Sequence, residues 1–323
     1  MTNDSTQAAH LTEARAFWDR EITEQFYKGW LQNLPIRIYA NTLIGGDRPL
    51  WPIPWFEEWL GGRTFERGLS IGCGSGGLER GFVERGLCQR VDAFDASVAS
   101  LHLARTAAAE AGLGDRLRYF AANFNQPVFR AKYDIVLFHQ SAHHVAKLER
   151  LYRAVLHALK PDGLVYMDEY VGPSRHEWSE EGFARHRAIY DSLPANVREV
   201  DVLPYPIMVD DPSEAIRSSE IETQLCVGFR TVARRPYGGT LLSVLFPLLR
   251  EEAMTAELVQ QLIDEERRLL DAGAPSYYAL IVAAPKRGAA RLVASAAYWL
   301  VPKVKRVFRE IAMRLRRPSA ERA

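Results

Sequence analysis

The chain has 323 residues, 47% hydrophobic and 25% charged, which suffices for one large domain with a substantial core or for two small ones. Its 41 Lys and Arg against 40 Asp and Glu leave a net charge of +1, so no global field draws in nucleic acid. Cys73, Cys88 and Cys226 are widely spaced without a metal-ligand pattern, no apolar run reaches the ~18–20 residues of a membrane span, and no basic-then-apolar leader is visible, so a reduced, cytoplasmic compartment is expected.

Residues 1–10 are polar and are expected to fray. The spacing of Phe17, Ile22, Phe26 and Trp30 predicts a helix over 11–31. An aromatic stretch, Trp51-Pro52-Ile53-Pro54-Trp55, leads into a short helix over 56–60. Residues 1–60 thus read as an N-terminal helical cap, whose aromatics either pack on a sheet or wall a pocket. An apolar run, 68–71, then ends in Gly72-Cys73-Gly74-Ser75-Gly76-Gly77, and a helix follows over 78–85. Strand, tight turn and helix N-terminus together make a cradle. The turn needs backbone angles that a Cβ forbids, and free N–H groups face whatever binds. Gly72, Gly74 and Gly77 satisfy G-x-G-x-x-G, and Gly72, Gly74 and Gly76 satisfy G-x-G-x-G.

The second strand, 91–95, ends in Asp95, about 20 residues past the glycines, where an acid can bond both ribose hydroxyls of a nucleotide. A helix is predicted over 97–111 and a third strand over 117–121, with Asn123 at its tip. The fourth strand, 133–138, runs into His139-Gln140-Ser141-Ala142-His143-His144-Val145. A helix over 148–159 ends in Lys160-Pro161-Asp162-Gly163, and the fifth strand, 164–170, carries Glu169 near its end.

From about 64 to 172, these features in this order resemble the core of a class I S-adenosylmethionine (SAM)-dependent methyltransferase. Many members of that family carry an acid where this chain has Ser70. The resemblance implies an α/β fold: a Rossmann-like, seven-stranded, mostly parallel sheet with an antiparallel last strand and helices on both faces. It implies SAM as methyl donor and S-adenosylhomocysteine as product, with no metal. It places the backbone of Gly72, Gly74 and Gly76 at the methionine portion, Asp95 at the ribose and Asn123 at the adenine amine. Cys73, Ala96, Phe124 and His139 adjoin these contacts on the cofactor side. An NAD-dependent dehydrogenase also fits the glycines, but would not be expected to carry His-His-Val or Lys-Pro-Asp-Gly.

The remainder departs from the common core. Residues 172–225 form an insertion between strands five and six, with helices expected over 179–193 and from Ser213, read as an N-cap, to 221. Strand six is expected over 227–234, a helix over 241–249, an amphipathic helix over 255–270 and the last strand over 276–284. The phrases around Glu169-Tyr170-Val171-Gly172, Asp211-Pro212-Ser213-Glu214 and Arg235-Pro236-Tyr237-Gly238 resemble methyltransferases of bacterial surface-polysaccharide and glycolipid biosynthesis. The methyltransferase domain is accordingly bounded at 61–286.

Residues 287–323 form a basic tail with Val293, Ala297, Leu300, Val304, Ile311 and Leu315 near helical spacing and Pro302 interrupting it. An interfacial helix on an anionic leaflet at the inner membrane face, a protein-docking helix and a solubilising tail are the competing readings.

If the acceptor is a hydroxyl, a base must take its proton, and histidine suits that near neutral pH. His139, His143, His144 and His176 are candidates, with His143, His144 and Glu169 placed at the acceptor side. The expected function is O-methylation of a sugar or glycolipid intermediate. The alternatives are a small aromatic or polyketide-like acceptor, or a catalytically silent SAM-fold subunit that binds a partner.

Overall fold

The computed structural model describes Thr12, Glu13, Ala16, Phe17, Asp19 and residues 29–129 and 131–300. Seven strands form one sheet: β1 (Phe65–Ile71), β2 (Cys88–Asp95), β3 (Leu117–Ala121), β4 (Tyr133–His139), β5 (Leu159–Tyr170), β6 (Phe229–Pro236) and β7 (Tyr278–Pro285). Their order is β3-β2-β1-β4-β5-β7-β6. Strands β1 to β5 pair in parallel, and β7 runs antiparallel to both β5 and β6. This is the expected Rossmann-like sheet.

A sheet covered on both faces needs apolar side chains at every position of its central strands. β4 shows this: Ile135, Val136, Leu137 and Phe138 are all fully buried. Alternation sends Ile135 and Leu137 into one core with Phe56, Phe82 and Tyr166, and Val136 and Phe138 into the other with Tyr152 and Leu156. The first core is roofed by α1 (Leu34–Gly45), α2 (Pro52–Leu60), α3 (Gly77–Glu84) and α4 (Val98–Glu110), the second by α5 (Leu148–Ala158). In the insertion α6 (Glu180–Ser192) joins the first core through Phe183 and Tyr190, and α7 (Ile221–Gly228) joins the second through Ile221 and Leu225.

Several elements differ from the sequence expectation. Pro52 stands in the first turn of α2, where its missing N–H costs nothing, so that helix starts earlier than 56. β5 begins at Leu159 rather than 164, because Lys160 is drawn to Asp134 of β4 (Nζ to Oδ1, 2.7 Å) across an irregular register. The helix expected over 241–249 shrinks to Leu242–Leu245 and a 3₁₀ turn containing Pro247. No helix starts at Ser213: the chain makes turns there, then a 3₁₀ turn at Ser218–Glu220 and α7. Of the helix expected over 11–31, residues 12, 13, 16, 17 and 19 are helical and Trp30–Gln32 is a 3₁₀ turn, while the rest lies outside the described residues.

The first part of the tail is a helix over 288–300. It docks on the second core through buried Ala294 and Tyr298. The Tyr298 hydroxyl accepts the Gly228 N–H (2.9 Å) and donates to the Gln224 carbonyl (2.7 Å). Leu292, Val293, Trp299 and Leu300 stay exposed at 74, 68, 49 and 48%. Residues 301–323 lie outside the described part. Among the described residues, no helix is long and apolar enough to cross a membrane.

Candidate active site

A cleft of about 840 Å³ opens at the C-terminal ends of β1, β2 and β4, where parallel α/β sheets bind ligands. Its floor is the glycine turn. Gly72, Gly74 and Gly76 all have positive φ, at 73, 51 and 75°. Their surroundings differ. A Cβ at Gly72 would stand 2.3 Å from Ser141 Cβ, and one at Gly76 would stand 2.6 Å from the Tyr119 hydroxyl, whereas nothing lies within 4 Å of one at Gly74. Gly74 therefore leaves room for a ligand to approach, while Gly72 and Gly76 are glycine because the protein packs against them. Gly72, Cys73, Gly74 and Gly77 line the cleft, and Gly76 is not among its lining residues.

Asp95 and Ala96 line the next wall. The Asp95 carboxylate accepts the Gly74 N–H through Oδ2 and the Ser97 N–H through Oδ1, each at 2.8 Å. It thus braces the turn as well as facing the cleft. Burial raises its carboxyl above the ordinary range, opposed by these backbone bonds. Ser97 caps α4 by accepting the Ser100 N–H, and its hydroxyl bonds Asp19 of the N-terminal segment. Phe124 also lines the cleft, but Asn123 does not: its side chain closes its own turn by accepting the Asn125 N–H (2.9 Å).

Ser70 lies buried beneath the turn and bonds Glu79 of α3. The chain therefore keeps an acid under the cradle, on the following helix instead of on β1. Glu79 is fully buried, and burial raises its carboxyl. Its second oxygen, Oε2, has no hydrogen-bond partner among the described residues.

The opposite wall is built from the ends of β4 and β5. His139 and Asp168 are register partners on these strands, and both line the cleft. His139 Nε2 stands 3.6 Å from Asp168 Oδ2, and the Tyr237 hydroxyl donates to Asp168 Oδ1 at 2.5 Å. Burial raises the Asp168 carboxyl, with His139 and Tyr237 opposing it. Gln140 follows at φ 48°, a left-handed conformation that is strained for a residue with a Cβ. It is held there by its N–H donating to the Asp168 carbonyl (2.8 Å), and it too lines the cleft. Asp168 and Tyr237 were not singled out in the sequence. Two adjacent acids end β5, and only the alternation of strand faces tells them apart.

The three residues placed at the acceptor side by sequence separate. His144 lines the cleft, while His143 and Glu169 do not. Glu169 is fully buried and points into the 3₁₀ turn Ala142–His144. Its Oε2 accepts the N–H groups of Ser141 (2.9 Å) and Ala142 (2.7 Å), and its Oε1 bonds His143 Nδ1. The imidazolium and these N–H groups hold its carboxyl below the ordinary range despite burial. The role of Glu169 is to fold the loop after β4. His143, between Glu169 and Glu214, is pushed up to about 10 against its own desolvation.

Residues 69–165 match the family described as a methyltransferase domain. The chain thus carries a methyltransferase domain over the stretch that holds the glycine turn, Asp95 and the loop after β4, which supports an enzyme that uses SAM. No curated protein matches the sequence. Among solved structures, geranyl diphosphate C-methyltransferase from Streptomyces coelicolor, in complex with Mg2+, geranyl diphosphate and S-adenosylhomocysteine, is 15% identical, with 86% of this chain and 98% of that one covered at a TM-score of 0.51. That likeness is one of fold. Phosphoethanolamine N-methyltransferase 2 from Haemonchus contortus, with bound SAM, is 18% identical over 77% of this chain and 57% of its own (TM-score 0.48). An O-methyltransferase from a Brevibacillus brevis polyketide synthase, with bound S-adenosylhomocysteine, is 14% identical over 74 and 73% (TM-score 0.46).

Proposed function

We propose that this enzyme methylates a hydroxyl oxygen of a sugar or glycolipid intermediate, with SAM seated on the glycine turn. The observation that carries the reading is the continuity of one cleft across two chemistries. The space above Gly74 and Asp95 lies at one side, and a histidine–carboxylate pair stands at the other. Trp51 and Ile53 add an apolar wall, with Arg37 and Arg85 among the lining residues, which suits an amphiphilic, anionic acceptor.

SAM, when bound, supplies a methyl carbon activated by its sulfonium: a C–O bond forms as the C–S bond breaks, and the neutral thioether leaves. The chain's part is to hold the acceptor in line, which can contribute roughly 7–11 kcal/mol, and to take its proton. His139 is the proton acceptor, and the nearby Asp168 carboxylate, held by Tyr237, stabilises the imidazolium electrostatically. The exposed apolar face of the helix over 288–300, followed in sequence by Lys303, Lys305, Arg306 and Arg309, supports contact with an anionic lipid surface where a glycolipid acceptor resides.

Labelled SAM with extracts fractionated into sugar-nucleotide, lipid-linked and small-metabolite pools tests the reading. Label in the first two pools is expected. Label confined to small aromatic metabolites overturns the acceptor class. His139→Ala should lower turnover about 10²-fold or more while changing SAM affinity less. An equal loss of SAM affinity would make His139 a cofactor contact instead.

A further inference from the structure

Beside the cleft, the loop after β4 and the insertion bring together His143, His144 and Glu214, with one ligand atom from each all within 4.8 Å of one another. The hydrogen bonds around them commit Nδ1 of each imidazole. The Ser213 hydroxyl donates to Asp211 Oδ1 (2.6 Å), so towards His144 Nδ1, 3.0 Å away, it accepts, and that nitrogen carries the proton. His143 Nδ1 bonds the Glu169 carboxylate, which only accepts, so it too is the protonated nitrogen. Nε2 of each ring then faces Glu214 Oε2, at 3.4 Å from His143 and 3.5 Å from His144, and a bound cation would take the place of the proton that makes His143 an imidazolium.

Those separations are longer than an ordinary N–H···O bond, which spans roughly 2.7–3.2 Å. The two His–Glu separations match the edge of a tetrahedron whose centre is bonded to each ligand at about 2.0–2.2 Å, an edge of roughly 3.3–3.6 Å. The surroundings are those of a metal centre: each ligating histidine gives its other N–H to a carboxylate or to a hydroxyl that is itself bound to one. Charge agrees. Glu169, Asp211 and Glu214 bring three carboxylates into a site where Glu169 and Asp211 are fully buried. Burial and the His143 charge, with the ring centroids 4.2 Å apart, keep the proton affinity of His144 low, whereas one divalent cation serves both nitrogens.

We propose that His143 Nε2, His144 Nε2 and Glu214 Oε2 bind a divalent transition metal of the zinc type. Two imidazoles and one carboxylate select such an ion over Mg2+ or Ca2+, which prefer oxygen ligands. This departs from the sequence-based expectation of no metal. Methyl transfer from a sulfonium needs none, so the ion's task is to clamp the insertion at Ser213–Glu214 onto the loop at His143–His144. His144 and Ser213 line the cleft, so the clamp sets the shape of the acceptor wall.

The test uses the metal-stripped, untagged full-length chain titrated with Co2+, read by its visible d–d absorption, followed by Zn2+ displacement. One equivalent in a tetrahedral, nitrogen-containing site is expected. Glu214→Gln and His144→Ala should weaken binding at least about 100-fold, and Ser213→Ala about 10–100-fold. Failure of the wild-type chain to take up one equivalent, or an octahedral aquo-like spectrum, overturns the proposal without recourse to any variant. Unchanged uptake in both Glu214→Gln and His144→Ala moves the ion elsewhere and overturns it too. SAM binding measured on the same samples separates this inference from the methyltransferase reading, because either can fail while the other stands.

Discussion

Replacing Asp95 by alanine tests the cradle most directly. Its carboxylate holds two backbone N–H groups, of Gly74 and Ser97, both at 2.8 Å. Each buried donor left unpaired costs about 1–3 kcal/mol, and one of them sits on the turn that receives SAM. Loss of the ribose contact and of the brace at Gly74 should together weaken SAM binding by about 1–3 kcal/mol, or roughly fivefold to 150-fold. Asp95→Asn should fall between wild type and alanine, because an amide keeps one acceptor oxygen but presents N–H groups to an N–H. A pH dependence follows from the raised carboxyl of Asp95. Protonation removes acceptor capacity, so SAM affinity should fall on acidification, starting at a higher pH than for an ordinary aspartate. Calorimetric titration measures each of these. Wild-type affinity in a folded Asp95→Ala protein would refute the assignment.

The two inner glycines should separate stability from binding. Gly72→Ala drives a Cβ into Ser141 and should lower thermal stability, whereas Gly74→Ala has room, costs about 1–2 kcal/mol of backbone strain and should chiefly lower SAM affinity. Equal behaviour in thermal shift and calorimetry would contradict the contrast. Burial and the nearby acids Glu79 and Asp95 push the Cys73 thiol well above its ordinary value, and burial pushes Cys88 up to about 11. Alkylation followed by mass spectrometry should therefore modify exposed Cys226 first, and early labelling of Cys73 would overturn the picture of a packing thiol. Flotation with anionic liposomes should retain the wild-type chain at low salt and release it at high salt. Leu292→Ser with Trp299→Ser, or truncation after Leu300, should weaken retention. Truncation before the helix is unsuitable, because it removes Ala294 and Tyr298 from the core.

The sheet was legible because its signals are local. Glycines that need positive φ, apolar strands and acids at strand ends announce themselves within a few residues. Of the residues that the sequence places at the cofactor, Gly72, Cys73, Gly74, Asp95, Ala96 and Phe124 line the cleft, Gly76 and Asn123 do not, and His139 lines it beside Asp168. The opposite wall was not legible in this way. Whether Asp168 or Glu169 faces the cleft depends on the phase of β5, one residue either way. Glu169 is committed to the N–H groups of a 3₁₀ turn whose existence no periodicity reports. Ser213 looked like an N-cap, yet it answers to Asp211 and to His144, 69 residues earlier in the chain. Glu79 beneath Ser70 is likewise a contact between a strand and the next helix.

The position of β7 has a consequence for how the molecule is made. It lies between β5 and β6, and among the described residues β6 has no other neighbour in the sheet. A chain emerging from the ribosome can lay β1 to β5 side by side as they appear. β6, over Phe229–Pro236, must then wait with both edges unpaired until Tyr278–Pro285 arrives and slides between it and β5. Tyr237, which holds Asp168, follows directly on β6. The cleft wall of Asp168 and Tyr237 is therefore completed only when nearly the whole chain has been synthesised, and a nascent chain stopped short of β7 carries the glycine cradle without that wall.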